Sequence, residues 1–369
     1  MKIIIAPDKF KGSLTSLQVC ECIRRGVVQS NKNADVLIFP MADGGDGFAA
    51  VMKYYLQTET ITCKTFDPLM RSISAAYEWD AKSKTAIIEL ASASGLVLLK
   101  GGEQNPLYTS TYGTGLLMQH AIDKGAQKII LGLGGSATND AGIGILSALG
   151  FVFKDKQGIE LKPAGENLRH VQTIDIPSLL HSIDFTIATD VTNILFGKEG
   201  ASFIYAPQKG ADENTVAILD KGLQHFAATI QSQTGKDIAS FEGSGAAGGV
   251  AAGLSAFFNT EIISGASLIT SVSKIEAVLF DADIIITGEG KLDDQSSRGK
   301  VIHQIATIGK QYNITVVALC GEVCINETAV KNIGLQVAVS LVNESISKEE
   351  AMKKAAALLQ LAAASLFIK

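Results

Sequence analysis

Both ends of the chain carry the same hydrophobic pattern, in which short apolar runs alternate with amphipathic stretches. Apolar runs bounded by turn residues predict buried strands, and the amphipathic stretches between them predict helices. The predicted strands are Lys2–Ala6, Val36–Phe39, Asp283–Thr287, Ile314–Leu319 and Leu335–Ser340, and the predicted helices are Thr15–Gln29, Gly299–Gly309 and Ser347–Leu366. This alternation is typical of a parallel sheet covered by helices.

The middle of the chain has a different pattern, because Glu59–Thr65, Ile73–Trp79 and Ala86–Glu89 are short strand-like runs separated only by turns. Such runs predict an antiparallel meander. Further strands are predicted over Ile129–Leu133 and Asp184–Ala188, and further helices over Thr114–Lys124, Ala141–Leu149 and Asp212–Gln233. We therefore predict an α/β fold of two domains. A discontinuous, doubly wound parallel-sheet domain comprises residues 1–60 plus 270–369, and a mixed α/β domain of residues 61–269 is inserted into it.

The composition excludes several classes of protein. With 369 residues, of which 47% are hydrophobic and 19% charged, the chain is long enough for two globular domains and too apolar for disorder. A net charge of −5 gives no broad attraction for nucleic acid or anionic membranes. No run approaches the roughly 20 apolar residues of a membrane helix, and the five cysteines form no zinc or disulfide pattern. We expect a cytoplasmic protein with reduced cysteines and no nucleic-acid or membrane partner.

The stretch Lys128–Leu149, KIILGLGGSATNDAGIGILSAL, is the strongest candidate for a ligand-binding loop. A predicted strand passes through Gly134, Gly135 and Ser136 into a predicted helix. Glycines at such a turn let the backbone approach a ligand, and the first helix amides can bind an anion. Side-chain oxygens at 138–140 could cap the helix or meet a metal or a hydroxyl group. The alternative is that the glycines serve packing alone.

Charged loops follow other predicted strands. Lys9 and Lys11 lie just ahead of a helix that Ser13 or Thr15 could cap, where lysines and helix amides would converge on an anion. The alternative is a pair of solvated lysines. The loop Pro40–Gly47 places two aspartates among three glycines. It suits a metal-bound phosphate or sugar-type hydroxyls, or else it is a plain turn.

Two later stretches add candidates of the same kind. Asp190 lies just past a predicted buried strand, which is a common position for a metal ligand or a general base. A helix cap would explain the same residue. A second glycine-rich helix start lies at Gly243–Gly253, where it could serve close packing or bind phosphate.

The loops at the strand ends should lie together, because ligands of open parallel sheets bind beyond the carboxyl ends of the strands. We expect the loops at 7–13, 40–47 and 287–298 to meet at one rim, with the inserted domain contributing 134–140 and 189–193 across a cleft. Phosphoryl transfer needs little covalent chemistry from the protein. It needs positioned substrates, a metal ion, cationic side chains and amide donors, and these loops contain residues suited to each. The sequence contains no P-loop, protein-kinase signature or Gly-x-Ser-x-Gly elbow, and its five histidines form no acid–base motif.

Seven stretches, in order along nearly the whole chain, resemble the bacterial glycerate kinase family, whose members phosphorylate D-glycerate with ATP. The matching stretches are Ala6–Leu14, Pro40–Gly47, Gly132–Asp140, Ala188–Asn193, Ala206–Ala211, Gly245–Gly249 and Thr287–Lys300. The chain departs modestly from the family pattern. Lys9 stands where serine is frequent, Asp46 where glutamate is usual, and Ile194 where proline is often seen. Lys291 replaces a common arginine, which keeps the charge but loses the bidentate fork.

The resemblance implies a flavodoxin-like domain with a second α/β domain inserted in it, and Mg²⁺-ATP as co-substrate. The usual product of this family type is 2-phosphoglycerate, and 3-phosphoglycerate is the alternative. A homodimer is one option for the assembly.

Our mechanistic hypothesis gives roles to strand-end carboxylates, lysines and glycine nests. Mg²⁺ would be held by Asp190, Glu289 or Asp293. Lys11 would neutralise a phosphate or the glycerate carboxylate, and Asp190 or Asp8 would accept the proton of the attacking hydroxyl. The expected nucleotide- and phosphate-binding residues are Gly134, Gly135, Ser136, Ser13, Gly288, Gly290 and Lys291, and the expected substrate-binding residues are Asp43, Asn139 and Asn193.

Two other functions stay open at this point. A nicotinamide-dependent dehydrogenase would also have glycine loops after strands, but the stretch that begins at Gly132 lacks the Gly-x-Gly-x-x-Gly spacing. A non-catalytic protein that clamps a small acid between two domains would bind the acid tightly without ATP turnover.

Overall fold

The structure is a computed structural model of the chain, and it describes residues 1–178, 182–293, 301–343 and 345–367. Its strands are β1 (Lys2–Ile5), β2 (Asp35–Ile38), β3 (Glu59–Phe66), β4 (Ser72–Asp80), β5 (Thr85–Glu89), β6 (Lys128–Gly132), β7 (Val152–Lys154), β8 (Thr173–Asp175), β9 (Asp184–Ala188), β10 (Asn259–Ile263), β11 (Ile284–Thr287), β12 (Lys291–Leu292), β13 (Thr315–Cys320), β14 (Glu322–Val323) and β15 (Val337–Ser340). Its helices are α1 (Ser16–Ser30), α2 (Phe48–Leu56), α3 (Ala91–Ser94), α4 (Tyr112–Asp123), α5 (Ile143–Ala148), α6 (Ala201–Tyr205), α7 (Glu213–Thr234), α8 (Ala246–Phe257), α9 (Gly265–Ser273), α10 (Val301–Gln311), α11 (Glu327–Ile333), α12 (Lys348–Lys353) and α13 (Ala355–Ser365). Short 3₁₀ turns cover Leu96–Leu98, Gly165–His170, Pro207–Lys209 and Ile275–Asp281.

The first of two compact units comprises residues 1–43, 50–55 and 264–369. Its sheet has the strand order β2-β1-β11-β13-β15, and every neighbouring pair is parallel. Counted within the unit, this is the order 2-1-3-4-5 of a flavodoxin-like doubly wound sheet. The parallel α/β fold predicted for the two ends of the chain is therefore confirmed. The strand order reverses between β1 and β11, which makes their carboxyl ends the switch point where such sheets bind ligands.

The core of this unit follows from the isoleucine run of β1. Ile3, Ile4 and Ile5 are completely buried, as expected for a central strand covered by helices on both faces. Ile3 and Ile5 belong to a cluster that also contains Val19 of α1 and Leu359 of α13. The burial of these side chains drives the two helices onto the sheet.

Helix α1 begins where the sequence predicts it. The hydroxyl of Thr15 accepts a hydrogen bond from the Gln18 amide, and the Gln18 side chain accepts one from the Thr15 amide. This capping box satisfies amide groups that have no partner inside the helix. Because Thr15 rather than Ser13 provides the cap, the first turn of α1 is closed by its own side chains.

The second compact unit comprises residues 44–49 and 56–263. Its main sheet has the order β10-β9-β6-β5-β4-β3, in which β3, β4 and β5 are antiparallel and β5, β6, β9 and β10 are parallel. The predicted antiparallel meander is confirmed, and the sheet is mixed as predicted. The domain boundaries that the sequence suggests, as limits of independently folding parts, stay a prediction.

Several elements differ from the predictions. Helix α2 and strand β10 were not predicted, and the predicted last helix is two helices, α12 and α13, which are separated at Lys354. The predicted helix start at Gly299 lies outside the described residues, and the described part of that helix is Val301–Gln311. Within the described part of the chain, no helix has the length and apolar character needed to cross a membrane.

Candidate functional site

A cavity of about 360 Å³ opens at the switch point of the first unit. It is lined by Asp8, Lys9, Phe10, Lys11, Ser13, Asp43, Glu289, Gly290, Lys291, Gly321, Glu322, Leu341, Val342, Lys348, Ala351, Met352 and Ala355. These residues come from the segments that follow β1, β2, β11, β13 and β15, and from helices α12 and α13. Parts of the predicted loops 7–13, 40–47 and 287–298 meet here, because Asp8, Asp43 and Glu289 line the same cavity, whereas residues 294–298 lie outside the described residues. Lys348 and Met352 are additions that the sequence did not predict.

The segment after β1 forms the wall of the cavity and is fixed at both ends. The amide of Asp8 donates a 2.8 Å hydrogen bond to the carbonyl of Gly288. The hydroxyl of Ser13 donates a 2.8 Å bond to the carbonyl of Met352, and its amide donates to Phe10. The hydroxyl hydrogen and the amide hydrogen of Ser13 are therefore both bonded within the protein. In this conformation Ser13 connects the wall to α12 and does not offer a donor to a phosphate.

Asp8 has a strongly perturbed carboxyl group. Only 6% of the residue is exposed, and its Oδ1 accepts a 2.6 Å hydrogen bond from the Lys9 amide. Burial raises the pKa of Asp8 to about 7, the carboxylates of Asp43 and Glu289 act in the same direction, and the Lys9 ammonium opposes them. Because its pKa lies near neutrality, Asp8 can both accept and release a proton under ordinary conditions.

The three predicted lysines of the cavity differ in their surroundings. Lys9 is half-buried, with its Nζ 3.4 Å from Asp43 Oδ1 and 3.8 Å from Asp8 Oδ1. Lys291 is exposed, and its Nζ lies 3.2 Å from Asp293 Oδ2. Lys11 is exposed and lines the cavity, and no ion pair joins it to another residue of the described part of the chain. Lys11 is therefore the cation most available to an anionic ligand.

The carboxylates of the cavity suit a magnesium–phosphate complex. Glu289 is 6% exposed and shares the cavity with Asp8 and Asp43, and the mutual repulsion of the three groups contributes to the raised pKa of Asp8. Mg²⁺ is usually held by one or two protein carboxylates together with water and substrate phosphates. Within the described residues no group of three or more His, Cys, Asp or Glu side chains has the geometry of a complete metal site. The carboxylates present fit a metal whose other ligands are water and phosphate oxygens.

The glycines after β11 bring backbone segments close together. A Cβ at Gly288 would overlap the carbonyl of Leu319, and one at Gly290 would lie 3.3 Å from the Lys11 amide nitrogen. Gly290 therefore lets the two walls of the cavity approach each other. Asp293 is the last described residue before 301, and the remainder of this motif, including Gln295 and Lys300, lies outside the described residues.

In the second unit, the glycine loop after β6 is shaped by packing. A Cβ at Gly134 would overlap the Cα of Gly45, so the two glycine segments lie backbone against backbone. Gly135 has φ +75°, a left-handed conformation that favours glycine. The packing interpretation, which the sequence left open, accounts for Gly134. A nucleotide-binding role for Gly134 and Gly135 stays a prediction.

The amides that begin α5 are occupied by the protein's own groups. The carboxylate of Asp140 accepts hydrogen bonds from the amides of Gly142 (3.2 Å) and Gly144 (3.4 Å), and the Thr111 hydroxyl accepts from the Ile145 amide (3.0 Å). The expectation that these helix amides bind a ligand anion is therefore wrong. Asp140 is the anion at this position, and its role is that of a cap.

A buried lysine beside this loop was missed by the sequence analysis. Lys209 is 2% exposed, and its Nζ donates to Ser136 Oγ at 2.7 Å and to the Thr138 carbonyl at 2.6 Å. Burial lowers the pKa of Lys209 to about 7, which nearby Asp140 partly offsets. Lys209 lies in the stretch Ala206–Ala211, which the sequence predicts as a turn, and a turn gives no sign that the side chain would be enclosed.

The predicted substrate residues of this unit are held by neighbouring groups. Asn139 is fully buried and its Nδ2 donates to Ser202 Oγ at 3.1 Å. Asn193 Oδ1 accepts from the Tyr205 hydroxyl at 2.6 Å, and Asn193 Nδ2 donates to the Glu199 carbonyl at 2.8 Å. Both amides therefore brace loops in this conformation, and their contact with substrate stays a prediction.

Asp190 lies two residues after the end of β9, just past the strand as predicted, and its two carboxylate oxygens are buried. The sequence analysis inferred a catalytic or metal-binding role for Asp190 from this position at the end of a strand. That role stays a prediction.

The second glycine-rich segment also serves close packing. Gly248 has φ +72°, and a Cβ there would overlap the carbonyl of Thr138. The Ala141 amide donates a 3.0 Å hydrogen bond to the Gly248 carbonyl. Of the two interpretations that the sequence left open for this segment, packing against the loop at 138–141 explains Gly248.

Comparison with known proteins gives a consistent result. The profile of the Glycerate kinase family matches residues 3–368. A glycerate kinase of Halalkalibacterium halodurans is 40% identical over 369 residues, which cover 99% of this chain and 97% of the relative. A glycerate 2-kinase of Escherichia coli is 37% identical over 358 residues, which cover 96% of this chain and 94% of the relative.

A solved structure is similar over the same extent. The crystal structure of a protein assigned as glycerate kinase 2 from Salmonella typhimurium aligns with a TM-score of 0.85 and 37% identity. The alignment covers 100% of this chain and 97% of the other.

Proposed function

The chain belongs to the glycerate kinase family, and we propose that it transfers the γ-phosphoryl group of Mg²⁺-ATP to the C2 hydroxyl of D-glycerate, giving 2-phosphoglycerate. The observation that carries the proposal is the cavity at the sheet's switch point, where a buried carboxyl group with a pKa near neutrality shares the space with the exposed ammonium of Lys11. The name of the Escherichia coli relative, glycerate 2-kinase, favours C2 over C3 as the acceptor.

Asp8 is the proposed proton acceptor. When the glycerate oxygen attacks the γ-phosphorus, a new O–P bond forms, the bond from that phosphorus to ADP breaks, and the hydroxyl proton passes to the Asp8 carboxylate. Because the pKa of Asp8 is raised to about 7, its ionised form is a stronger base than that of an exposed aspartate. A base of this strength suits proton transfer at neutral pH.

The cations of the cavity would bind the anionic groups of the two substrates. Lys11 supplies a flexible ammonium that can reach a phosphate oxygen or the glycerate carboxylate, and Lys291 supplies a second one beside Gly290. Bound Mg²⁺ would neutralise charge on the phosphates, and Glu289 is the carboxylate of this cavity that would hold it. Before Mg²⁺ binds, the Lys9 ammonium reduces the repulsion between the carboxylates of Asp43 and Asp8, with which it is paired.

The proposed reaction is tested by the phosphorus NMR spectrum of the purified protein incubated with ATP, Mg²⁺ and D-glycerate. A new phosphomonoester signal that proton coupling splits into a doublet shows attachment at C2, which carries one hydrogen. A triplet would instead show attachment at the C3 methylene and correct the proposed acceptor. Intact ATP with no new signal would refute the kinase reaction with glycerate.

The role of Asp8 is tested by Asp8→Asn, which keeps the size of the side chain and removes the proton acceptor. We expect kcat to fall by about 10²–10⁴-fold, the usual contribution of general base catalysis. Asp35→Asn, at an exposed aspartate of β2, is the matched control and should keep normal turnover. Near-normal kcat in Asp8→Asn would remove Asp8 from the mechanism.

A further inference from the structure

Lys209 places a charged group inside the second unit at a cost in stability. Its side chain ends in an ammonium with two protein acceptors, Ser136 Oγ and the Thr138 carbonyl, at 2.7 and 2.6 Å. Transfer of a charge from water to such a site is unfavourable unless it is fully compensated, and a neutral side chain of similar length would avoid the cost. A buried lysine at a loop that also carries glycine is therefore a sign of function rather than of stability.

The bond from Lys209 determines how Ser136 can bind a ligand. In this pair Lys209 Nζ donates and Ser136 Oγ accepts, and the protonated form of the lysine can only donate. The hydroxyl hydrogen of Ser136 is then directed elsewhere, and no acceptor for it is found in the described part of the chain. Ser136 is therefore held as a donor whose own hydrogen is left for an incoming group.

Two neighbouring side chains have unused polar atoms as well. Thr138 Oγ1 and Asn139 Oδ1 are buried and have no hydrogen-bond partner among the residues that the structure describes. Buried polar atoms are normally satisfied, and exceptions indicate an absent ligand or water. Together with the Ser136 hydroxyl, they place three unused polar groups within four consecutive residues of the loop that Lys209 contacts.

Other backbone bonds hold the loop on both sides of Ser136, in addition to the bond that Lys209 donates to the Thr138 carbonyl. The Ala137 amide donates to the Ser94 carbonyl at 2.9 Å, and the Thr109 hydroxyl donates to the Ala137 carbonyl at 2.8 Å. The Leu96 amide donates to the Gly135 carbonyl at 2.9 Å. Since these bonds fix the backbone on both sides of Ser136, the specific effect of Lys209 is on the orientation and polarity of the Ser136 hydroxyl.

We propose that Lys209 is a positioning residue, which orients the Ser136 hydroxyl so that it donates a hydrogen bond to an oxyanion of a bound substrate. The oxyanion is either a phosphate oxygen of ATP or the carboxylate of glycerate. This inference rests on the proposed function for the identity of the two ligands. The polarisation by the ammonium makes the Ser136 hydroxyl a stronger donor toward a negative oxygen.

The experiment compares Lys209→Met, Ser136→Ala and the double variant with the unaltered protein. Dissociation constants for ATP, D-glycerate and inorganic phosphate are measured by titration calorimetry, and KM and kcat are measured beside them. We expect each single variant to weaken binding of the same ligand by about 10–100-fold, the loss of one hydrogen bond to a charged group. The ligand whose dissociation constant rises is the one that supplies the oxyanion.

The double variant separates positioning from independent action. Because Lys209 acts through Ser136, the double variant should bind no more weakly than either single variant. In Lys209→Met, removal of the buried charge raises the thermal unfolding midpoint and loss of the donor to the Thr138 carbonyl lowers it, so the test is decided by the binding constants. Lys221→Met, at an exposed lysine of α7, is the matched control and should change neither binding nor the midpoint.

Three outcomes would overturn the inference. The first is a Lys209→Met variant that binds all three ligands normally. The second is a pair of single effects that multiply in the double variant. The third is a fall in the unfolding midpoint with kcat lost and every binding constant unchanged, which is the signature of a structural role. If the unaltered protein binds these ligands but shows no turnover, the proposed reaction is wrong. The binding constants of the variants would still test whether Lys209 positions Ser136.

Discussion

The carboxylate of Asp140 accepts two hydrogen bonds from Thr111, one from its amide and one from its hydroxyl, each 2.8 Å long. Both residues are completely buried. The same carboxylate caps the amides that begin α5, and the Thr111 hydroxyl accepts from the Ile145 amide. This pair therefore ties the starts of α4 and α5 together and organises the loop after β6.

Asp140→Asn should destabilise the second unit strongly. The substitution keeps the size of the side chain but replaces an acceptor oxygen by a donor, which leaves buried amide or hydroxyl groups without an acceptor. We expect the free energy of unfolding to fall by about 2–4 kcal/mol. Urea unfolding followed by circular dichroism measures it.

A matched control for this change is Asp155→Asn. Asp155 also accepts two backbone amides, from Gln157 and Ile159, but in an exposed turn. Water can replace those bonds, so we expect a loss below about 1 kcal/mol. Equal losses in the two variants would show that the burial of Asp140 is not what makes its bonds important.

Lys11→Met should weaken substrate binding without affecting the fold. The ammonium is exposed and lines the cavity, so its removal leaves no buried group unsatisfied, while the attraction to an anionic substrate is lost. We expect KM for glycerate or ATP to rise about 10–100-fold, with an unchanged unfolding midpoint. Steady-state kinetics measure the change, and Lys32→Met, at another exposed lysine, is the control. Unchanged KM values for both substrates would exclude Lys11 from binding.

Asp190→Asn should lower kcat by orders of magnitude and leave the fold intact. The prediction rests on the position of the carboxylate two residues after β9 and on the burial of its two oxygens. A catalytic or metal-binding carboxylate loses its charge in this variant while the shape of the side chain is kept. Turnover and the circular dichroism melting curve are measured together, and a normal kcat would assign Asp190 a structural role.

Lys209 predicts a pH dependence of stability. Its pKa is about 7 in the folded protein and about 10.4 in an unfolded chain, so between these values the unfolded state binds more protons. The free energy of unfolding therefore rises with pH through this window. The rise is about 1.4 kcal/mol per pH unit where the unfolded state binds one proton more than the folded state. Below pH 7 both states are protonated and the contribution is constant.

The comparison with Lys209→Met isolates this effect from other titrating groups. The unfolding free energy of the unaltered protein minus that of the variant should increase as the pH is raised from 7 to about 10. Urea midpoints at several pH values, with Lys221→Met measured beside them, provide the test. A difference that does not change with pH would show that Lys209 keeps an ordinary pKa inside the protein.

The central strand β1 was predictable because its side chains are buried on both faces. The run at Ile3–Ile5 identifies a central strand because a parallel sheet covered by helices needs continuous apolar residues. Strand β10 was missed because it pairs with β9 alone at the edge of the sheet, where Asn259 and Glu261 are exposed. An edge strand has no comparable apolar requirement, so its sequence carries a weaker signal.

The candidate site was predictable to the extent that it depends on strand ends. Asp8, Lys11 and Glu289 follow β1 or β11, and parallel strands bring those ends to one edge of the sheet. Lys209 was not predictable in this way, since its contact Ser136 is 73 residues distant in sequence. Lysine is almost never fully buried, and only long-range packing creates the enclosure around it.

The topology of the first unit has a consequence for the order in which the chain can fold. The Thr287 hydroxyl donates to the Ala6 carbonyl across β11 and β1, although these residues are 281 positions apart. During synthesis, β1 leaves the ribosome without its partner on that side and must wait until the whole second unit has followed it. The second unit, largely continuous from 56 to 263, can complete its sheet first. In nascent chains that end at residue 263, we therefore expect protease to cut near Lys2–Ile5 while the second unit resists digestion, and early protection of β1 would contradict this order.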